Sequence, residues 1–165
     1  WNRLIRLASL VVGLVVFGGG LLLLGAVERR RGWFALGAAV LTVAIVDPFG
    51  SHVLKPLIDR PRPCHLGAGR LLVACGSGES MPSLHAANSA GIAAALIGVY
   101  RARALPALAV AAVAAYSRVY VGVHWPLDVV VGALYGGVVG LPAGLGAAWL
   151  ARRRRVTDET DVSPP

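Results

Sequence analysis

The sequence has few charged residues, few aromatic side chains and only two cysteines. Of its 165 residues 15% are charged and 7% are aromatic, whereas 56% are hydrophobic, and the mean hydropathy is +0.69. This composition argues against a water-soluble domain, which needs a charged surface, and is typical of a membrane protein. The net charge of +8 comes without an aromatic-interleaved basic surface, so nucleic-acid binding is disfavoured as well.

Long apolar runs occupy most of the chain. A spanning helix needs about 20 mainly apolar residues, and five runs approach that length: 4–27, 33–54, 84–100, 105–121 and 127–150. We predict an all-α, polytopic transmembrane helix bundle of five spans, or of six if a further segment precedes Trp1. Residues 1–151 would form one membrane-embedded domain, and residues 152–165 a cytoplasmic basic flank with a disordered tail.

Small residues recur within these runs. Glycines at 136, 140 and 144 fit the small-xxx-small pattern that lets helices approach closely, and we expect packing within the protein in preference to dimerisation.

Most of the basic residues outside the polar clusters fall at 29–31, at 101 and 103, and at 152–155. If these short loops face the cytoplasm, as the positive-inside tendency requires, segment 55–82 and the turn at 118–128 share the extracytoplasmic side. Segment 55–82 is rich in proline and glycine and reads as a capping loop, with residues 66–74 at the interface or over the site.

Three polar clusters interrupt the apolar sequence. They read Lys55-x6-Arg62-Pro63, Pro82-Ser83-Leu84-His85 and Ser117-Arg118-x5-His124-x3-Asp128. Ionisable groups beside hydrophobic spans are costly and mark functional sites, so we expect the clusters to form one site that binds an anion.

Two of the clusters precede apolar helical runs. Ser83 is placed to cap a helix whose first turn holds Leu84 and His85, and the free N–H groups there suit a phosphate. Pro126 suits the first position of the last span, which leaves His124 just outside and Asp128 in the first turn. The carboxylate would then orient the imidazole as a nucleophile, although a capping Asp beside an interfacial His remains an alternative.

Lys55, Arg62 and Arg118 supply three cations on the same membrane face. An Arg fork and a Lys point charge together could neutralise a phosphoryl group. Snorkelling to lipid headgroups would explain any one of them, but a shared polyanionic ligand explains all three. Five other polar residues fit structural positions at the membrane interface better than positions in the site: Asp47, His52, Arg60, His65 and Asn88.

The three motifs resemble the signature motifs of the type-2 phosphatidic acid phosphatase and vanadium haloperoxidase superfamily, in its membrane lipid phosphatase branch. Leu84 stands where members commonly have Gly.

The resemblance implies that His124 attacks phosphorus, that Asp128 orients it and that His85 protonates the leaving oxygen. Lys55, Arg62, Ser83, the Leu84 backbone and Arg118 would hold the phosphoryl oxygens, with no metal and no cofactor. We therefore expect an enzyme of the bacterial inner or plasma membrane that hydrolyses a terminal phosphate of a lipid, first of all undecaprenyl pyrophosphate. Phosphatidic acid, phosphatidylglycerol phosphate and lipid A phosphate are alternatives. Vanadate-dependent halide oxidation and a non-catalytic lipid-binding protein are rival functions.

Cys64 and Cys75 both lie in the capping loop, on the side where an oxidising compartment permits a disulfide. We expect them to pair, so that intact-mass measurement after alkylation finds no label without reductant and two labels after reduction. Two labels without reductant would contradict the pairing.

Overall fold

The computed structural model describes residues 29–68 and 71–161, and the side chains of residues 31–68 and 71–154. This part of the chain is all-helical and contains no strand, as predicted. Its elements are α1 (Arg29–Phe49), a π-helical turn (Gly50–Leu54), α2 (Lys55–Ile58), a 3-10 turn (Pro63–Leu66), α3 (Leu84–Tyr100), a 3-10 turn (Arg101–Ala104), α4 (Pro106–Tyr120) and α5 (Pro126–Asp161).

The prediction of five membrane spans is supported only in part. Two helical runs, Arg31–Leu66 and Pro126–Arg154, are long and apolar enough to cross a membrane. Helices α3 and α4 form at two other predicted runs but have 17 and 15 residues, fewer than the roughly 20 that a bilayer requires. The predicted run 4–27 lies outside the described residues.

Helices α3 and α5 run parallel with their backbones in direct contact, because glycines of α5 face carbonyl groups of α3. A Cβ atom on any of these glycines would overlap the facing carbonyl oxygen. The pairs are Gly132 with Ser83, Gly136 with Ala87, Gly140 with Gly91, and Gly144 with Ala95. The small-xxx-small residues therefore pack within the protein, as the sequence predicts.

Helix α1 packs antiparallel against α3. Near its middle, Thr42 lies beside Gly91, and closer to its end Asp47 accepts a hydrogen bond of 2.9 Å from Asn88 Nδ2. The carboxyl end of α1 thus lies beside the amino end of α3. Helix α4 ends at Tyr120, and five residues separate it from the start of α5. The carboxyl ends of α1 and α4 and the amino ends of α3 and α5, with the polar clusters beside them, therefore lie at one end of the bundle.

The capping loop folds back over this end of the bundle. Cys64 and Cys75 form a disulfide with their Cα atoms 6.0 Å apart. Leu72 N donates to Val121 O over 3.2 Å, which ties the loop to the carboxyl end of α4. The side chains of Leu71, Leu72 and Val73 are exposed, as suits a segment at the membrane interface.

Helix α5 continues to Asp161, so the backbone of residues 152–161 is helical where the sequence predicts a disordered tail. Arginine is a good helix former, and the arginines of residues 152–155 extend the helix beyond the apolar run. The Arg153 guanidinium lies 4.0 Å from the centre of the Trp149 ring, a cation–π contact one turn apart.

The glycine contacts make a direct prediction. A methyl group at Gly140 would overlap Gly91 O, whereas a methyl group at Gly137, on the same helix, has nothing within 4 Å. We expect Gly140→Ala to destabilise the protein in detergent by about 1–3 kcal/mol, the usual cost of overpacking a core. Thermal unfolding followed by circular dichroism measures this against Gly137→Ala, which has the same helix propensity. Equal melting temperatures for the two variants would show that α3 and α5 are not in backbone contact.

Candidate functional site

Asp128 is the most completely coordinated side chain at this end of the bundle. It is fully buried, and its Oδ1 accepts a hydrogen bond of 2.9 Å from Arg60 Nη1. Its Oδ2 accepts from Ser80 Oγ and, over 2.8 Å, from Trp125 N. In the last of these contacts Asp128, which lies in the first turn of α5, accepts a hydrogen bond from the backbone N–H of the cap residue Trp125. Asp128 therefore caps α5 while its carboxylate stays available to a further neighbour.

His124 is that neighbour. Its side chain is only 5% exposed, and its Nδ1 lies 3.5 Å from Asp128 Oδ2. Within the described residues, Nδ1 has no hydrogen-bond partner. Burial, followed by the positive charges of Arg62 and Lys55, lowers the pKa of His124 to about 4, and Asp128 opposes the shift. The imidazole is therefore neutral at physiological pH, the state in which a ring nitrogen can act as a nucleophile.

The amino end of α3 lies beside these residues. Ser83 occupies the cap position, as predicted, but its side chain makes no capping hydrogen bond. Its backbone N donates instead to Asp128 O over 2.9 Å, and its buried Oγ has no hydrogen-bond partner among the described residues. His85, in the first turn, has an exposed side chain. A buried hydroxyl at a helix amino end suits an anionic oxygen.

Leu84 lies at the position where the sequence resemblance leads us to expect glycine. Its Cδ2 atom fills the space that a Cβ on Gly50 would take, and Tyr135 lies on the other side of that space. The Leu84 side chain is thus directed at the π-helical turn after α1. Gly50 makes room for it.

The three predicted cations are half-buried, and two of them, Lys55 and Arg62, hold loop segments of the site. Lys55 Nζ donates to Glu79 O over 2.5 Å, and Arg62 donates to Gly78 O over 3.0 Å and to Val123 O over 3.2 Å. Arg118 Nε donates to its neighbour Ser117 over 3.1 Å. Lys55 and Arg62 thus bridge the two ends of the capping loop beside His124.

Sequence reasoning missed two residues of the site. The sequence places Arg60 at the interface and predicts no role for Ser80, yet both bind the Asp128 carboxylate. The one sequence signal for Arg60 is the run Arg60-Pro61-Arg62-Pro63. Alternate residues of an extended segment point to the same side, so Arg60 is expected on the same side as the predicted ligand Arg62. Nothing in the sequence points to Ser80.

One cluster of potential metal ligands lies in the capping loop. The ligand atoms of Cys64, His65 and Cys75 lie within 4.8 Å of one another. Both sulfur atoms belong to the disulfide, and metals bind the thiolate, so this cluster does not fit a metal ion.

The arrangement agrees with a comparison against protein families. The PAP2 superfamily profile matches residues 32–155, a range that contains all three motifs. The chain belongs to the PAP2 superfamily.

Curated relatives of this PAP2 chain are lipid phosphatases by name. The lipid A 4'-phosphatase of Bacteroides thetaiotaomicron is 37% identical over 115 residues, which are 62% of this chain and 49% of that protein. The decaprenylphosphoryl-5-phosphoribose phosphatase of Mycobacterium tuberculosis is 37% identical over 123 residues, which are 73% of this chain and 66% of that protein. The matches thus cover about half to two thirds of these relatives. No solved structure matches at comparable significance.

The buried His124 ring makes a prediction about pH. Because its folded-state pKa is about 4 and an unfolded His titrates near 6.5, the unfolded chain takes up a proton first as the pH falls. His124 therefore lowers the stability of the fold progressively as the pH falls from about 6.5 to 4, and this destabilisation is complete below that window and absent above it. NMR titration of 15N-histidine protein in detergent, with His124→Gln assigning the signal, should find the His124 ring neutral at pH 5.5. Protonation near pH 6.5 would show that the ring is solvated.

Proposed function

We propose that this PAP2 chain is an integral membrane phosphatase that hydrolyses the terminal phosphate of a lipid phosphate or pyrophosphate through a phosphohistidine at His124. The observation that carries the proposal is the buried His124 ring, held with Nδ1 3.5 Å from Asp128 Oδ2 at the meeting point of two helix amino ends. Its lowered pKa supports the same assignment. With Nδ1 facing the carboxylate, Nε2 is the nitrogen available for attack. Both helix dipoles favour negative charge there.

The chemistry would proceed in two steps. His124 Nε2 attacks phosphorus, the bond from phosphorus to the leaving oxygen breaks, and His85 gives its proton to that oxygen. Water then attacks the phosphorus, the phosphorus–nitrogen bond breaks, and the water proton returns to His85 as phosphate leaves. Lys55, Arg62 and Arg118 would neutralise charge on the phosphoryl oxygens.

Ser83 Oγ and the backbone of Leu84 would hold the remaining phosphoryl oxygens. The buried Ser83 hydroxyl, which has no partner within the described residues, supports this assignment. A bound phosphate would satisfy it, and buried polar groups normally have a hydrogen-bond partner.

Exposed apolar side chains support the membrane location. Long side chains on the outer faces of the helices are strongly exposed: Trp33 by 64%, Val113 by 69%, Leu134 by 66% and Val138 by 73%. A continuous apolar surface of this kind fits lipid, and we propose that the lipid tail of the substrate stays in the bilayer while its headgroup enters the site.

The basic loops support an extracytoplasmic site in a multi-pass protein of a bacterial inner or plasma membrane. The basic residues at 29–31 and at 101 and 103 lie at or between helix ends remote from His124, and those at 152–154 lie in the part of α5 remote from His124. The positive-inside tendency puts those ends in the cytoplasm, which leaves the site on the other side.

The substrate remains a choice among lipids. The sequence favours undecaprenyl pyrophosphate as the substrate. The relatives named for decaprenylphosphoryl-5-phosphoribose and for lipid A add two further candidate substrates, each with a terminal monophosphate. We propose a polyprenyl-linked phosphate as the first candidate, because that relative's match covers the larger share of both chains. Lipid A phosphate is the second.

Phosphate release in detergent tests the function. The native chain should release phosphate from at least one of undecaprenyl pyrophosphate, decaprenylphosphoryl-5-phosphoribose, lipid A, phosphatidic acid and phosphatidylglycerol phosphate. His124→Ala should lower turnover by roughly three orders of magnitude or more, since removal of a nucleophile leaves little catalysis.

Arg31→Ala, at the remote end of α1, is the control and should keep native turnover. Undiminished turnover by His124→Ala would exclude His124 as nucleophile, and a native chain that binds these lipids without turnover would indicate a non-catalytic binding protein. Loss of native turnover on addition of a chelator would contradict the metal-free mechanism.

A further inference from the structure

Arg60 makes its principal contact with the Asp128 carboxylate. Its Nη1 lies 2.9 Å from Asp128 Oδ1, and the two side chains are 31% and 0% exposed. The guanidinium carbon also lies 5.6 Å from the centre of the Trp125 ring. A charged, directional hydrogen bond to a buried carboxylate is among the stronger contacts that a side chain can make. Trp125 further restricts the position of the guanidinium group.

The two oxygens of Asp128 have different neighbours. Arg60 binds Oδ1, whereas Ser80 Oγ and Trp125 N bind Oδ2, the oxygen that lies 3.5 Å from His124 Nδ1. The three hydrogen bonds hold both oxygens and so fix the plane of the carboxylate, with one oxygen directed at the imidazole. Arg60 thus helps to hold the carboxylate in that plane, and it supplies a positive charge in direct contact with this buried group.

We propose that Arg60 is a positioning residue for phosphoryl transfer, which holds Asp128, and through it the His124 ring, in the orientation that attack on phosphorus requires. The inference rests on the proposed function. Arg60 acts on the carboxylate and not on the phosphoryl group.

Arg62 provides the contrast within the same Arg-Pro-Arg-Pro run. Its guanidinium donates to backbone carbonyls, Gly78 O and Val123 O, and its charge acts on the His124 ring. In the proposed function it binds phosphate, so its loss should raise KM. Loss of Arg60 should instead lower kcat with little change in KM, because the interaction that it supports develops only when His124 becomes positively charged during attack.

Arg60 is also accessible from outside the protein. It lines an open surface pocket of about 420 Å³ together with Asp59, Pro61, His65, Gly78 and Glu79. A small guanidinium compound can therefore reach the space that a truncated Arg60 side chain would leave. Chemical rescue follows as a test that separates positioning from a contribution to folding alone.

The experiment compares Arg60→Ala, Arg60→Lys and Arg31→Ala in the phosphate-release assay. We expect Arg60→Ala to lower kcat by about 10- to 100-fold, the loss that follows removal of a hydrogen bond to a charged group. Arg60→Lys should keep part of the activity, and millimolar methylguanidinium should raise kcat of Arg60→Ala without affecting Arg31→Ala. If Arg60→Ala does not fold, Arg60→Gln takes its place. Native kcat in the truncated variant, or lost kcat that methylguanidinium does not raise, overturns the proposal.

A titration that needs no turnover gives a second readout. The charges acting on the His124 ring are those of Arg62 and Lys55, and that of Asp128 from α5. Removing Arg60 leaves the Asp128 charge uncompensated, so the pKa of His124 should rise in Arg60→Ala and stay unchanged in Arg31→Ala. An unchanged pKa in Arg60→Ala overturns the proposal. If the native chain releases no phosphate from any lipid, the proposed function fails, and the titration alone decides whether Arg60 positions Asp128.

Discussion

The contact between the glycines of α5 and the carbonyl groups of α3 is the constraint on which the site depends. It brings two parallel helices together without an intervening layer of side chains, so their amino ends start side by side. Ser83, at one start, donates its backbone N–H to the carbonyl of Asp128, at the other. A larger residue at Gly132, which faces Ser83 O, would separate the two starts and with them the polar groups that the site combines.

The same close packing allows a carboxylate to be buried without a large penalty. Asp128 loses its hydration completely, and an isolated charge in such a place would be very unfavourable. Three donors replace the lost water, namely Ser80 Oγ, Trp125 N and Arg60 Nη1, and the last of them also brings a positive charge. Asp128 therefore acts both as a structural cap of α5 and as the proposed orienting group of His124. The two interpretations that the sequence left open are compatible.

Local sequence rules predicted the parts of the site that depend on helix starts. The cap position of Ser83 and the first-turn position of Asp128 follow from short-range patterns, and the structure places both residues as predicted. Arg60 and Ser80 could not be predicted in this way. Their contacts with Asp128 span 68 and 48 residues of sequence, and they arise from the fold of an irregular loop whose path no periodic pattern describes.

The five predicted spans stay a prediction, because the described part of the chain contains two helices that are long and apolar enough to cross a membrane. Apolar composition marks where a helix forms but says less about where it ends. The backbone turns into a 3-10 segment at Arg101 and leaves the helix after Tyr120, which makes α3 and α4 shorter than a membrane is thick. Helix α5, in contrast, is longer than the apolar run that predicts it. Arginines, which have good helix propensity, follow the last apolar residue and continue the helix.

The spacing of the glycines has one more consequence, which concerns alternative alignments of the two helices. The stripe repeats every four residues, as do the facing carbonyl groups, so a slide of α5 by one helical turn would keep most of the close contacts. The stripe alone therefore cannot select one alignment. The polar contacts of Asp128 with Ser80 and Ser83 exist in only one of them. The carboxylate proposed to orient the nucleophile thus also favours one of several similar alignments of the two helices.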